Sequence, residues 1–192
     1  MDLSALKEKL FFGVHDVARA GGLTLPSAHV LCSRCVKDGR FLRLKRDFYV
    51  IADNFRQYGT RRRLQLANWL QVPSYISLTT ALAYHEVTSQ VPRDRFESVS
   101  LHRSKTIRAG NTTFVYHKLH QRLYFGFTRR EDLFLAEPEK ALLDAAYLSV
   151  LGHSAIDRDA LDHDRIDAQR FGEYLTLFPQ RFRRKMEALC RT

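Results

Sequence analysis

The chain has only three cysteines in 192 residues, an odd and low number that offers no disulfide framework. No run approaches the roughly 20 apolar residues needed to cross a bilayer. The first residues, MDLSALKEKLFFG, carry charge too early and too often for a signal peptide, so a cytoplasmic protein is expected. A glycine-rich phosphate loop and a Gly-x-Ser-x-Gly elbow are both missing. None of the eight lysines has a carboxylate two positions before it. The Asp/Glu-x-Lys arrangement with which restriction-type nucleases hold a divalent metal is therefore lacking. Acids are missing altogether between Ser98 and Arg130, where seven arginines and lysines lie.

What is present is positive charge on an otherwise ordinary globular composition. Apolar residues make up 45% of the chain, enough for a core without disulfides or metals, while the net charge is +10. Such a balance favours nucleic acid or an anionic surface as partner. The charge is concentrated: Arg34 to Arg63 holds ten basic residues against Asp38, Asp47 and Asp53. The stretch from Asp157 to Asp167 is instead acidic.

The segment from Val14 to Ile51 gives that charge a shape. Leu3, Leu6, Leu10 and Phe11 have helical spacing and predict a first helix ending near Gly13. Val14, Val17 and Ala18 predict a second, short helix, with Asp16 at its positive end and Gly21-Gly22 terminating it. Thr24 is a candidate N-cap for a third helix, with Pro26 in its first turn. There Ala28, Leu31, Cys32, Cys35 and Val36 follow the i, i+3, i+4, i+7, i+8 series and should face inward. This makes Cys32 and Cys35 small core residues rather than half of a zinc site, which needs about four ligands. The opposite face holds Ser27, His29, Val30, Ser33, Arg34 and Lys37. Gly39 ends the helix, and Phe41 to Leu44 should pair with Phe48 to Ile51 around a turn at Lys45-Arg46-Asp47.

Two helices across a turn followed by a basic hairpin are the sequence form of a winged helix-turn-helix, so double-stranded DNA is the expected partner. Ser27, His29 and Val30, early in the helix, are the expected base readers. Ser33, Arg34 and Lys37 are expected at the backbone. Arg43, Lys45 and Arg46 of the hairpin are expected at flanking phosphate or the minor groove. A winged helix used only for protein contacts is the competing reading.

After a junction at Asp53 to Thr60, a helix is expected from Arg61 to Leu70, with Leu66, Trp69 and Leu70 on one side. A strand over Ser74 to Leu78 leads into a helix over Thr79 to His85. Further strands are expected at Phe96 to Leu101, Thr106-Ile107, Thr112 to Leu119 and Leu133 to Leu135. Pro138 opens a helix with Ala141, Leu142, Ala145 and Leu148 or Ser149 inward, and helices near Ala168 to Leu177 and Gln180 to Cys190 close the chain. The expected fold class is thus α+β. A winged helix-turn-helix over residues 1–55 precedes a larger α+β domain over 60–192 with a small mixed or antiparallel sheet. Arg61, Arg62, Arg63, Arg103, Lys105 and Arg108 form a candidate secondary basic surface, with solvated side chains as the alternative. Glu137, Glu139, Lys140 and Asp144 cluster at a helix start, where dipole, salt-bridge or sheet-bracing roles compete with catalysis. His153, Asp157, Asp159, Asp162, His163 and Asp164 match no metal-ligand spacing. No catalytic residue, cofactor or metal is expected.

Three blocks in order are more specific. They are SAHVLCSRCVKDGRFLRLKRDFYVIA, the run from Tyr75 to His85 (YISLTTALAYH), and the run from Ala136 to Tyr147 (AEPEKALLDAAY). Together they resemble the AbiEi family of antitoxins of bacterial type IV toxin–antitoxin systems. The resemblance implies a winged helix that represses its own operon and a C-terminal domain that counters a co-expressed nucleotidyltransferase-like toxin without a stable complex. One departure is at the hairpin turn, where Asp47 stands in place of the family's usual glycine. Aspartate tolerates the left-handed backbone better than most residues, so the hairpin should persist. A regulator or scaffold unrelated to a toxin, and more remotely a metal-dependent nuclease, are the alternatives.

Overall fold

The computed structural model describes residues 4–157 and 159–189. The chain is mixed α+β, with a two-stranded antiparallel sheet and a six-stranded mixed sheet. Helices α1 (Ser4–Lys7), α2 (Val14–Gly21) and α3 (Leu25–Lys37) come first. The hairpin of β1 (Phe41–Lys45) and β2 (Phe48–Ile51) follows.

The first helix is shorter than the periodicity predicts. Leu3 lies outside the described residues, and Leu10 and Phe11 are not helical. The cause is long-range pairing: Phe12 exchanges two backbone hydrogen bonds with Tyr49 of β2, both 2.9 Å, which pulls the chain into extended form. Helix α2 ends as expected, at Gly22 with φ 61° and its neighbour Leu23 donating to Ala18 O. Thr24 Oγ1 caps α3 by accepting from the Ser27 N–H at 3.4 Å. Ala28, Cys32 and Cys35 are fully buried with Leu6, Phe12, Val14, Val17, Phe41 and Tyr49, a small core that holds α2, α3 and one side of the hairpin. Leu44, Phe48 and Val50 enter the large core instead. The hairpin is therefore shared between both cores.

Most of α4 (Ala52–Gln57), anchored by buried Ala52 and Phe55, falls in the stretch from Asp53 to Thr60, expected to be a junction without strong periodicity. Next come α5 (Thr60–Leu70), β3 (Ser74–Ile76), α6 (Leu78–Tyr84), β4 (Arg95–Ser100), β5 (Lys105–Ala109) and β6 (Thr112–Lys118). They are followed by β7 (Phe127–Arg130), β8 (Leu133–Ala136), α7 (Pro138–Val150), α8 (Ala168–Thr176) and α9 (Gln180–Leu189). Strand order is β5-β6-β4-β3-β8-β7, parallel at β4/β6 and β3/β8 and antiparallel elsewhere. The sheet is thus larger than the small one expected, and it gains β7, which the sequence reading missed.

Two predicted faces also differ. Trp69 does not point inward with Leu66 and Leu70; it is 54% exposed, and Leu64 and Ala67 take the buried side of α5. Helix α7 has more than one inward face: residues 139–146 and Leu148 are all buried between the sheet and α6 and α8. Cys190 lies outside the described residues.

Candidate nucleic-acid interface

Helical phase divides α3 as the sequence predicts. Ser27, His29, Val30, Ser33, Arg34 and Lys37 are all exposed on one side, opposite the buried Ala28, Cys32 and Cys35. Val30 is 52% exposed, an apolar side chain left in water beside two cations. Ser33 Oγ donates to His29 O at 3.0 Å, and Ser27 Oγ accepts from Thr24 Oγ1 at 2.9 Å. Among the described residues, Arg34 and Lys37 have no ion-pair partner; the nearest acid in sequence, Asp38, is held by Arg40 at 3.0 Å. Burial pushes the Cys32 thiol up to about 11 and raises that of Cys35, where it outweighs the opposing charge of Arg40.

The hairpin is placed by Asp47. Its φ is 53°, the left-handed conformation in which glycine is common, and its carboxylate accepts from the Val14 N–H at 2.6 Å. It thereby satisfies an otherwise open donor at the start of α2, across 33 residues of sequence. Sequence reasoning saw only the tolerance of aspartate for this backbone and missed the cap, because no local signal links residue 47 to residue 14.

The three hairpin cations do different things. Arg43 and Arg46 are exposed and, among the described residues, make no ion pair. Lys45 corrects the expectation. Its ammonium turns inward and donates to Trp69 O at 3.0 Å and Leu70 O at 3.2 Å, the open carbonyls ending α5, with Phe48 5.0 Å beneath it. Burial, and secondarily Lys105, lowers its pKa. It is a clamp between the hairpin and α5, not a free cation at the tip.

The secondary basic residues do not form one surface. Arg103 and Arg108 are exposed and Lys105 half-buried on or beside β5, which runs against β1. Arg61 instead pairs with Glu131 at 3.1 Å, and Arg62 covers the Tyr58 ring at 5.2 Å. Arg63 is largely buried against Asp94 at 2.9 Å and serves the fold.

The other two blocks fold onto each other. Strands β3 and β8 pair, α6 packs on α7, and His85 Nε2 donates to Ala136 O at 2.8 Å. At the centre, Lys140 pairs with Asp144 one helical turn on, both with side chains 0% exposed. Tyr75 O–H and Ser77 O–H donate to Asp144 Oδ2 at 2.9 and 2.8 Å, and Lys140 donates to the Tyr75 oxygen at 2.9 Å. Phe125 and Phe178 enclose the ammonium at 5.0 and 5.5 Å. Burial lowers the Lys140 pKa while Asp144 opposes the shift, and burial raises the Tyr75 pKa well above its ordinary value. Glu139 accepts from the Asp167 N–H at 2.9 Å. Asp144 thus braces the sheet, as one of the sequence readings had it, and Lys140 and Asp144 are out of reach of anything in solvent. Among the described residues, no three His, Cys, Asp or Glu side chains are grouped to hold a metal ion. No described helix is long and apolar enough to cross a membrane.

No family model matches the chain, and no curated protein does.

Proposed function

We propose that this protein is a sequence-specific DNA-binding repressor of its own operon and the cytoplasmic antitoxin of a type IV, AbiEi-like toxin–antitoxin pair. In this reading α2, α3 and the hairpin are a winged helix-turn-helix and α3 is its recognition helix. The observation that carries it is the outer face of α3: six contiguous side chains, two of them cations without an ion-pair partner among the described residues, stand exposed while the opposite face is packed. Ser27, His29 and Val30 meet base edges in the major groove; Ser33, Arg34, Lys37, Arg43 and Arg46 meet the backbone. In this reading Arg103, Lys105 and Arg108, on or beside the strand β5 that packs against β1, extend the same footprint. The antitoxin half rests on the resemblance of the three blocks, the latter two of which meet through Tyr75, Ser77 and Asp144.

The test is fluorescence anisotropy of the full chain with its own promoter fragment and with a scrambled duplex. Preferential binding is expected, with log K falling by about 0.9 per tenfold rise in salt for each phosphate neutralised. Replacing His29 and Arg34 together by alanine is expected to abolish the preference at unchanged melting temperature. Equal affinity for both duplexes would sink the repressor reading and leave the protein-contact reading. For the antitoxin half, co-expression with a neighbouring nucleotidyltransferase-like gene is expected to restore growth without co-purification. Unrelieved toxicity would overturn it.

A further inference from the structure

A cleft of about 700 Å³ opens between the exposed side of α5 and the β7–β8 hairpin, with Leu10 from the segment before α2 also in its lining. That volume lies within the range of small-molecule sites, which favour junctions between structural units. Its walls include four aromatic rings, Trp69, Tyr124, Phe127 and Phe134. Trp69 and Phe134 are 54% and 45% exposed, so two large rings face water beside a concavity. The walls are held in place by Asn68, whose amide donates to Phe134 O at 3.2 Å and accepts from Phe134 N–H at 2.8 Å. This prolongs the β8 ladder past the end of β3 and ties α5 to the hairpin. The Gln65 amide and the Tyr124 hydroxyl also line the cleft and bond to no other described residue. Burial raises the Tyr124 pKa to about 12. Arg129 and Asp132 also line the cleft, paired with each other, and both side chains are mostly exposed.

We propose that this cleft binds a nucleotide, with the base lying against Trp69 and Phe134, its edge toward Gln65 and Tyr124, and its phosphate at Arg129. Aromatic faces offer sequence-tolerant stacking to any base, and a neighbouring guanidinium supplies the countercharge. An amide carries both a donor and an acceptor, as a base edge does. An alkyl or lipid occupant would cover Gln65 and Tyr124 without satisfying them. The exposed Arg129–Asp132 pair is weak enough for a phosphate to displace the carboxylate. The nucleotide is either free or one unit of a single-stranded nucleic acid. The cleft shares no residue with the outer face of α3, so this proposal and the operator reading stand or fall separately.

Trp69 is the only tryptophan of the chain, so intrinsic fluorescence reports on the cleft directly. The full chain is titrated, with excitation at the red edge of tryptophan absorption, with AMP, GMP, CMP, UMP and ribose 5-phosphate. Short single-stranded homopolymers of RNA and DNA form the second arm. Saturable quenching by at least one nucleotide or homopolymer is expected, with none by ribose 5-phosphate. Phe134→Ala and Arg129→Ala are each expected to weaken it about tenfold. Circular dichroism melts are expected to show both variants folded, and Gln65→Ala repeats the test without touching a ring. A homopolymer that binds far tighter than its mononucleotide identifies a strand as the source; comparable affinities identify a free nucleotide. Absence of saturable quenching, equal quenching by ribose 5-phosphate, or a ligand-free dimer by light scattering that Trp69→Ala dissolves would overturn the proposal.

Discussion

Helices α3 and α7 carry similar-looking charge in the sequence and use it in opposite ways. On α3, Arg34 and Lys37 stand one turn apart in solvent, opposite a packed face of alanine and cysteine. On α7, Lys140 and Asp144 stand one turn apart with no solvent at all, saturated by Tyr75 and Ser77. Both helices lie in blocks that carry the family resemblance. The difference is that the charge of one block stands open to solvent while that of the other is used in the assembly of the fold. What separates them is whether each polar atom already has a partner inside the chain.

The comparison breaks most sharply at Lys140. Lys140→Ala leaves the Asp144 carboxylate buried with only two hydroxyl donors, and loss of one partner of a buried ion pair costs about 3–5 kcal/mol. Thermal unfolding is expected to fall by roughly 10 °C, at about 2–4 °C per kcal/mol for a chain of this size. Lys140→Met combined with Asp144→Leu is expected to recover only part of that loss, since the apolar pair needs no partner but leaves the buried Tyr75 and Ser77 hydroxyls without their acceptor. If Lys140→Ala melts like the native chain, the cluster does not hold β3 to α7.

On α3 the signs reverse. Arg34→Ala is expected to leave the melting temperature within about 1–2 °C, because surface substitutions away from structural features cost within about 0.5 kcal/mol. Operator affinity is expected to fall by about 1–3 kcal/mol, the salt slope shrinking by about one unit if the contact is to phosphate. Anisotropy titrations at two salt concentrations distinguish phosphate from base contact. A stability loss as large as that of Lys140→Ala would erase the distinction between the two helices.

The hairpin repeats this contrast within adjacent residues. Lys45→Met removes the donor from the Trp69 and Leu70 carbonyls, and hydrogen bonds to a charged group are worth about 1.5–3 kcal/mol when partly buried. Arg46→Ala touches no described partner, so it is expected to weaken DNA binding and leave stability alone. Denaturant melts and anisotropy of the two variants check this, and interchanged results would return Lys45 to the interface.

These contrasts also mark what was legible in the sequence. The phase of α3 could be read because its apolar residues are small, regularly spaced and bounded by Thr24 and Gly39. Strand β7 could not, since Phe127-Thr-Arg-Arg130 is a short, charged edge strand of the kind that blunts unwanted pairing and lacks apolar alternation. The burial of Lys140 and Asp144 was hidden because an i, i+4 Lys–Asp pair reads like any solvated surface pair. Phe12 left the predicted first helix for a partner 37 positions away, Tyr49, and Trp69 turned outward on a helix whose arginine-rich start conceals which side packs. Apart from β7, whose partner β8 is only a two-residue turn away, the misses turn on packing against segments distant in sequence; each success rests on local spacing.

The smallest effect concerns the packed side of α3. The Cys32 pKa is raised by burial from an ordinary 9.0 to about 11. Above pH 9 the unfolded chain therefore loses a proton that the folded chain keeps. The contribution of Cys32 to stability is full below pH 9 and declines toward pH 11, by at most about 1.4 kcal/mol per pH unit. Cys32→Ala should flatten that decline at the cost of a small constant loss from packing. Peptide-resolved alkylation is expected to leave Cys32 and Cys35 unmodified in the native chain at pH 8 and to modify both in denaturant, since a sealed thiol is inert. Native alkylation of Cys32 as fast as that of a free thiol would mean that the inward face of α3 opens to solvent. The outer face would then lose the rigid backing that the proposed reading surface requires.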